Sequence, residues 1–346
     1  MRAVRFHTHG GPAVLAYEDA PDPSPTVGEA LIRVRACSLN HRDIWAREGR
    51  RGTQPFSIPL PCILGADIAG VVEAVPGGAH RIAPGNRVMV THIVSCGQCR
   101  WCLAGSDHLC SPHVSLGAEL PGGYAERVAV PVRNLFPIPD HLSFEEASTF
   151  PLVLLTVWPM LVLKGRLRAG ETVLVHAAGS GIGSIAIQLA KAFGARVLTT
   201  AGSDAKLEKA RELGADETIN YLRQDFVSEV MRLTAGQGVD LVLEHVGSTV
   251  FQESLRALAC GGRLVTCGAT AGSDVHLNIH TLSARQVEVH FTSLGGKGGL
   301  AQALDLVRAK TIRPVISSVL PLREARRAHE LMEQRMHFGK IVLVPD

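Results

Sequence analysis

The stretch TVLVHAAGSGIGSIAIQLAKAFGA, residues 172–195, decides the fold. A short apolar run, Thr172 to Ala178, leads into a glycine turn, after which apolar residues recur at helical spacing. That pattern is a buried β-strand feeding an α-helix. Gly179, Ser180, Gly181, Ile182 and Gly183 form the turn, and glycines there let backbone amides approach a pyrophosphate while the helix N-terminus adds its positive dipole end. A glycine triplet alone marks only a tight turn. Between a strand and a helix, inside a run of such units, it marks a dinucleotide site.

Downstream the alternation repeats. ARVLTTA (195–201), ETINY (217–221), VDLVLEHV (239–246) and GRLVTCGA (262–269) read as strands, with helices around DAKLEKARELGA (204–215), DFVSEVMRLTA (225–235) and TVFQESLRALA (249–259). Strands alternating with helices at this pace predict a parallel sheet covered on both faces. Upstream, ALIRVRAC (30–37), IAGVVEAV (68–75), NRVMVTHI (86–93) and YAERVAVP (124–131) are short alternating runs between turn residues, a β-rich region extending to about residue 150. The tail is mixed α/β: LAQALDLVRAK, VISSVLPL, EARRAHELMEQ and GKIVLVP.

The second strand of the α/β region is where a carboxylate would take the adenosine ribose hydroxyls, and it carries none. It runs instead into Ala201, Gly202 and Ser203, with Lys206 one turn into the next helix, and the third strand ends at Tyr221 and Arg223. A hydroxyl, a helix N-terminus and a lysine suit a 2′-phosphate, so NADP(H) is preferred over NAD(H).

Cys96, Cys99, Cys102 and Cys110 follow the spacing C-x2-C-x2-C-x7-C. Four thiolates in a loop of Gly, Ser, Asp and His suit one tetrahedral zinc ion with no open position, a structural site that braces the loop. The other cysteines, Cys37, Cys62, Cys260 and Cys267, stand singly in apolar segments and read as buried thiols.

The whole chain of 346 residues is 46% hydrophobic and 19% charged, with a net charge of only +3. Its length favours two domains. No basic run provides an electrostatic footprint for nucleic acid or membrane, and Arg100 stands alone in the cysteine loop. No secretory h-region and no uninterrupted apolar stretch of membrane-spanning length is evident, so the expected address is cytoplasmic and the expected partner a small-molecule substrate.

Together, GADIAGVVEAV, CGQCRWCLAGSDHLC, GGYAERVAVP, AAGSGIGSIAIQLAKAFGA and the closing FGKIVLV resemble the medium-chain dehydrogenase/reductase superfamily, which includes zinc alcohol dehydrogenases and quinone oxidoreductases. The resemblance implies an α/β protein: a GroES-like β-rich catalytic domain from 1–152 and 296–346, with a Rossmann doubly wound cofactor domain, 153–295, inserted. It also implies a homodimer or homotetramer joined through the Rossmann sheet edge. Where alcohol dehydrogenases of this superfamily carry catalytic zinc ligands, this chain matches Asn40, Ala66 and Leu152. His41, Asp43 and Asp67 remain nearby.

By the same resemblance, Asn40 contacts the nicotinamide ribose and Thr156 lies near the nicotinamide. Gly181 and Gly183 cradle the pyrophosphate; Gly202, Ser203, Lys206 and Tyr221 read the 2′-phosphate; Val246, Gly268, Ala269, Ser293 and Leu294 supply later contacts. Asn40, His41, Asp43 and Thr156 are the candidate catalytic residues, and His41 and His245 the only candidate proton donors. The implied reaction is metal-free hydride transfer from NADPH to an activated C=C or a quinone. The competing readings are an alcohol or aldehyde dehydrogenase with a rearranged metal site at His41, Asp43 and Asp67, and a non-catalytic NADPH-binding protein. Residues Arg47 to Ile58, a basic and polar loop, are expected to flank the cleft without specifying the substrate.

Overall fold

The structure, a computed structural model, describes residues 1–51, 54–77, 81–111 and 113–346. The chain divides into two compact units. The first combines Met1–Leu152, Gly296–Gly298 and Pro314–Asp346; the second combines Val153–Gly295 and Gly299–Arg313.

The first unit is built on a seven-stranded sheet in which the long strand Glu29–Ser38 pairs with Asp67–Ala74, Arg127–Pro131 and the C-terminal strand Lys340–Val344. Its core side of Glu29–Ser38 reads Ala30, Ile32, Val34 and Ala36, all essentially inaccessible, the alternation that a half-buried strand requires. Gly70 is needed where two strands close up, since a Cβ there would lie 2.2 Å from the Arg33 carbonyl. The register brings Val342 opposite Ser38 and Ser38 opposite Asp67, so the two ends of the chain meet beside residues 38–40.

The second unit is a six-stranded, all-parallel sheet. Its strands are β1 Thr172–Val175, β2 Arg196–Ala201, β3 Glu217–Asn220, β4 Val239–Glu244, β5 Leu258–Thr266 and β6 Glu288–Phe291. Their spatial order is β3-β2-β1-β4-β5-β6. Helices α1 Gly181–Ala192, α2 Asp204–Glu212, α3 Phe226–Leu233 and α4 Ser248–Ala257 connect the first five strands. The order reverses between β1 and β4, which opens a crevice at the carboxyl ends of those strands. The middles of the central strands β1 and β4 are apolar, as burial on two faces demands: Val173, Leu174, Val175, Leu241, Val242 and Leu243 have no exposed surface.

Four readings of the sequence change. The segment 299–313 belongs to the second unit, not the first, because helix α5 Lys297–Arg308 buries Leu300, Ala303, Leu304 and Val307 and because Gln188 of α1 holds Arg313 through both its amide atoms. The sixth strand, EVHF, was too short and too polar to be read from its pattern. Cys37 and Cys62 are buried, but Cys260 is exposed and Cys267 only partly covered. Finally, the helical run Phe144–Lys164 is long and apolar enough to cross a membrane, yet it is 78% buried inside the protein, as core helices are.

That run contains Pro159, which has no N–H to give the carbonyl of Leu155, four residues back. The Gly295 N–H takes that carbonyl instead, at 2.6 Å, while Pro159–Lys164 widens into a π-helical turn. Proline thus fastens the loop Ser293–Leu294 to the helix that carries Thr156.

Candidate functional site

In the first unit a buried polar cluster forms around Asp67, which has no exposed surface. Its Oδ2 accepts from Asn40 Nδ2 at 2.9 Å, Lys340 Nζ at 3.1 Å and Ser38 Oγ at 3.3 Å; its Oδ1 accepts from the Leu152 backbone N–H at 2.7 Å. Lys340 Nζ also donates to Asn40 Oδ1 at 2.6 Å. Ser38 has one proton and shares it with the nearer Ser148 carbonyl at 2.8 Å, so the carboxylate is satisfied chiefly by three donors, one of them a cation, which is the condition for burying a charge without large penalty.

Lys340 is the functional-looking residue that sequence reasoning passed over. Its signal was a lone lysine in the apolar strand KIVLV. It supplies an ammonium ion beside Asn40, where the superfamily's alcohol dehydrogenases would place a cysteine ligand. Ala66 offers no ligand atom, and Leu152 answers Asp67 with its backbone. A thiolate-free site already holding a cation does not fit a catalytic zinc.

His41 and Asp43 do not join this cluster as metal ligands. Asp43 is completely buried at the third position of helix His41–Glu48, where its Oδ2 accepts from the Asn40 N–H at 2.8 Å, closing the helix start. Its Oδ1 has no hydrogen-bond partner, and burial raises its pKa to about 6. His41 is on the surface, its ring edge-on to Trp45 at 5.1 Å. Among the described residues, the four cysteines are the only cluster of three or more His, Cys, Asp or Glu with converging ligand atoms.

Those four cysteines bring their Sγ atoms within 4.8 Å of one another. Cys96 to Cys102 is 3.8 Å and Cys99 to Cys102 is 3.6 Å. Four thiolates about 2.3 Å from one zinc ion would stand about 3.8 Å apart, so the set fits that ion. Backbone N–H groups point at the sulfurs, Cys99 to Cys96 at 3.3 Å and Cys96 to Cys110 at 3.4 Å. Backbone N–H groups of Gln98 and Cys99 hold the Cys96 thiol down to about 6, favouring the thiolate that binds metal. Asp107 stiffens the loop by pairing with Lys297, accepting from its backbone N–H and its ammonium at 2.7 Å each.

In the second unit the glycine turn is shaped for a phosphate. Ser180 caps α1 by accepting from the Gly183 N–H at 2.8 Å, which leaves the Gly181 and Ile182 amides at the open first turn of the helix. Gly183 lies against β1: a Cβ there would sit 2.3 Å from the Ala177 carbonyl. Ala177 itself adopts φ 52°, an uncommon left-handed conformation for a residue with a Cβ. At the end of β2, Ser203 caps α2 and accepts from the Lys206 N–H at 3.4 Å, while the Tyr221 hydroxyl lies where a Cβ on Gly202 would be. Asp204, which the sequence reading did not single out, places a carboxylate here, and it is tied down by Asn220 at 2.6 Å and Arg223 at 2.7 Å.

Val246, Gly268 and Ala269 follow β4 and β5 and are drawn together. The Ala271 N–H donates to the Val246 carbonyl at 2.7 Å, and Glu244 accepts from the Val246 and Gly247 amides at 2.5 and 2.7 Å and from the Thr266 hydroxyl at 2.7 Å. Burial raises the Glu244 pKa. His245 is not a free proton donor: its Nε2 bonds the His176 carbonyl at 3.0 Å and burial lowers its pKa. Thr156 is buried in its helix. Of the loop expected to flank the cleft, Arg47 is instead a fully buried helical residue bonded to Gly10, His329 and Glu333, and Gly52 and Thr53 lie outside the described residues.

Residues 26–140 match the family described as alcohol dehydrogenase GroES-like domain, and residues 181–309 the family described as zinc-binding dehydrogenase. An NAD-dependent alcohol dehydrogenase of Sulfurisphaera tokodaii is 32% identical, with 100% of each chain covered. The quinone oxidoreductase of Rattus norvegicus is 29% identical, covering 99% of this chain and 98% of that one. Among solved structures, one titled as an NAD-dependent alcohol dehydrogenase superposes with a TM-score of 0.95 at 45% identity, covering 100% of both chains.

Proposed function

The chain belongs to the medium-chain dehydrogenase/reductase superfamily and is an NAD(P)-dependent oxidoreductase acting on a small molecule; on that premise we propose that it reduces an activated C=C bond or a quinone with NADPH, without a catalytic metal. The observation that carries this reading is Lys340, whose ammonium sits at hydrogen-bonding distance from both Asn40 and Asp67. A second cation there would meet like charge and no thiolate. A metal would help alcohol oxidation by stabilising an alkoxide, whereas conjugate reduction can proceed with hydrogen-bond donors for a carbonyl oxygen.

NADPH, when bound, supplies the hydride. Gly181, Ile182 and Gly183 hold the pyrophosphate at the start of α1, and Ser203, Lys206 and Tyr221 hold the 2′-phosphate. Asn40, the residue expected to contact the nicotinamide ribose, is kept in place by Lys340 and Asp67. The zinc on the four cysteines braces its loop, and the reduced thiolates it needs accord with a cytoplasmic address.

The second reading, an NAD-dependent alcohol dehydrogenase, is favoured by the 45% identical structure of that title. Metal analysis and kinetics separate them. We expect about one zinc per chain and NADPH oxidation driven by enones, enoyl thioesters or quinones. About two zincs per chain with alcohol-dependent reduction of NAD+ would overturn the proposal. For the cofactor, Lys206→Ala is expected to raise the KM for NADPH about tenfold and leave that for NADH nearly unchanged, a loss of one phosphate contact.

A further inference from the structure

Helix His41–Glu48 presents a second cation whose purpose the cluster around Asp67 does not explain. Arg42 donates Nη1 to the Leu116 carbonyl at 3.0 Å, and among the described residues no carboxylate lies within ion-pair distance of its guanidinium. The charges it feels are those of Asp43, Glu119 and Asp67, and Glu119 is itself bonded to the Ser115 N–H at 2.8 Å. The N–H of the same residue, Leu116, donates to the His92 carbonyl at 2.9 Å. One residue's backbone therefore fixes Arg42 and His92 as neighbours.

His92 is 2% exposed, and its Nδ1 has no hydrogen-bond partner. The adjoining Thr91 Oγ1 is likewise unpartnered. A buried imidazole nitrogen left unpaired costs free energy unless something else bonds it. The charged groups acting on the ring are Arg42, Lys297 and His113, all of one sign, and with burial they keep it neutral. Lys297 is already neutralised by Asp107. What remains is one guanidinium without a counter-ion beside one neutral ring with an idle N–H.

We propose that Arg42 and His92 are the donors that hold the carbonyl oxygen of the substrate, His92 through Nδ1–H and Arg42 through the guanidinium N–H groups that Leu116 does not take. This deepens the proposed reaction and rests on it. When hydride breaks from the reduced nicotinamide and forms a C–H bond at the β-carbon, the C=C pair shifts to join the α-carbon to the carbonyl carbon and the C=O pair moves to the oxygen, giving an enolate. The cofactor is oxidised, the substrate reduced, and water supplies the proton that completes the α-carbon. An unpaired guanidinium favours the oxygen more strongly as its charge grows, which is the behaviour of an oxyanion site. The acceptor class is accordingly one whose double bond is conjugated to a carbonyl.

The test uses the zinc-loaded holoenzyme with NADP+ and 2-cyclohexen-1-one labelled with 13C at the carbonyl, so that binding is read without turnover. In the wild type the carbonyl resonance is expected to move downfield. It should return towards the free position in Arg42→Met and His92→Phe and be largely retained in His92→Gln and Arg42→Lys, which keep a donor and keep the fold. With NADPH, kcat for enone reduction should fall about 100-fold in the first two variants with a smaller change in KM, as for loss of an oxyanion donor.

A wild-type enzyme that turns over enones while the variants keep both shift and kcat overturns the inference and leaves the reaction standing. A shift that depends on Arg42 and His92, with no NADPH oxidation by any enone, enoyl thioester or quinone, upholds the carbonyl site and overturns the reaction. No shift in the wild type overturns the inference.

Discussion

At the scale of single residues, the polar interior of the first unit depends on Lys340. Asp67 loses its cation if that lysine is shortened, and an uncompensated buried carboxylate is far costlier than a missing surface pair. Lys340→Met should therefore lower unfolding free energy by about 3–5 kcal/mol in urea titrations. A loss below about 1 kcal/mol, the range of an exposed pair, would mean that the ammonium does not balance Asp67. The four cysteines and the glycine turn were legible because each has a local spacing tied to a chemistry. Lys340, Arg42 and His92 were not, since their meaning depends on residues up to 300 positions away, brought together only by strand pairing.

At the scale of elements, the cofactor end of the second unit is held by close approaches and by one histidine. Gly183→Ala would push a methyl into the Ala177 carbonyl, 2.3 Å away, so α1 must shift. NADPH affinity should fall at least tenfold, measured by fluorescence titration, with stability lowered by roughly 1–3 kcal/mol as for an overpacked site. His176 ties β1 to β2 and α4: Ser254 donates to the Val250 carbonyl at 2.6 Å, so it accepts from His176 Nε2–H at 2.9 Å, while Thr200 sits at 3.1 Å from Nδ1. The ring is thereby fixed as the neutral Nε2–H tautomer. In the cysteine loop, Cys99→Ser should release the zinc, detected by metal analysis, and lower Tm by melting the loop it braces. Most strands were legible from their alternation. Among those missed, Arg2–Phe6, Ala16–Asp19 and Leu135–Pro137 are short, and β6 pairs only with β5 at the sheet edge and carries half-exposed residues, so its pattern is weak.

At the scale of the whole molecule, each unit buries one histidine whose pKa falls to about 3, His176 in the second and His329 in the first. His329 lies between Arg47, 3.0 Å from Nδ1, and the Tyr124 hydroxyl, 3.2 Å from Nε2, and burial with the Arg47 charge keeps it neutral. Unfolded, both rings titrate near 6.5, so between that pH and about 3 the unfolded chain binds two protons that the native protein does not. Stability must then fall as pH falls through this window. Asp43 opposes the trend: its folded pKa of about 6 lies above the ordinary carboxyl value of 3.8, so acid relieves its burial cost. Burial also holds His92 and His245 down and Glu244 up, so the depressed histidines outnumber the raised carboxyls and the balance is towards acid destabilisation. Urea midpoints measured from pH 7 down to pH 4 should decline steadily, and a flat profile would contradict this account. His329→Phe, which removes one titrating site, should flatten it.

The pairing of Lys340–Val344 with Glu29–Ser38 also fixes an order of events during synthesis. Val153 to Arg313, which contain the whole second unit, leave the ribosome before that last strand, so the dinucleotide unit can close while the first still lacks an edge of its sheet. Until Lys340 docks, Asp67 has no ammonium and Asn40 is free to turn. A nascent or clipped chain lacking the final strand would then be able to capture nucleotide without being able to arrange the polar cluster beside Asn40. Nucleotide binding and completion of the first unit are thus separable steps in the life of the molecule, and only the second waits for the strand Lys340–Val344.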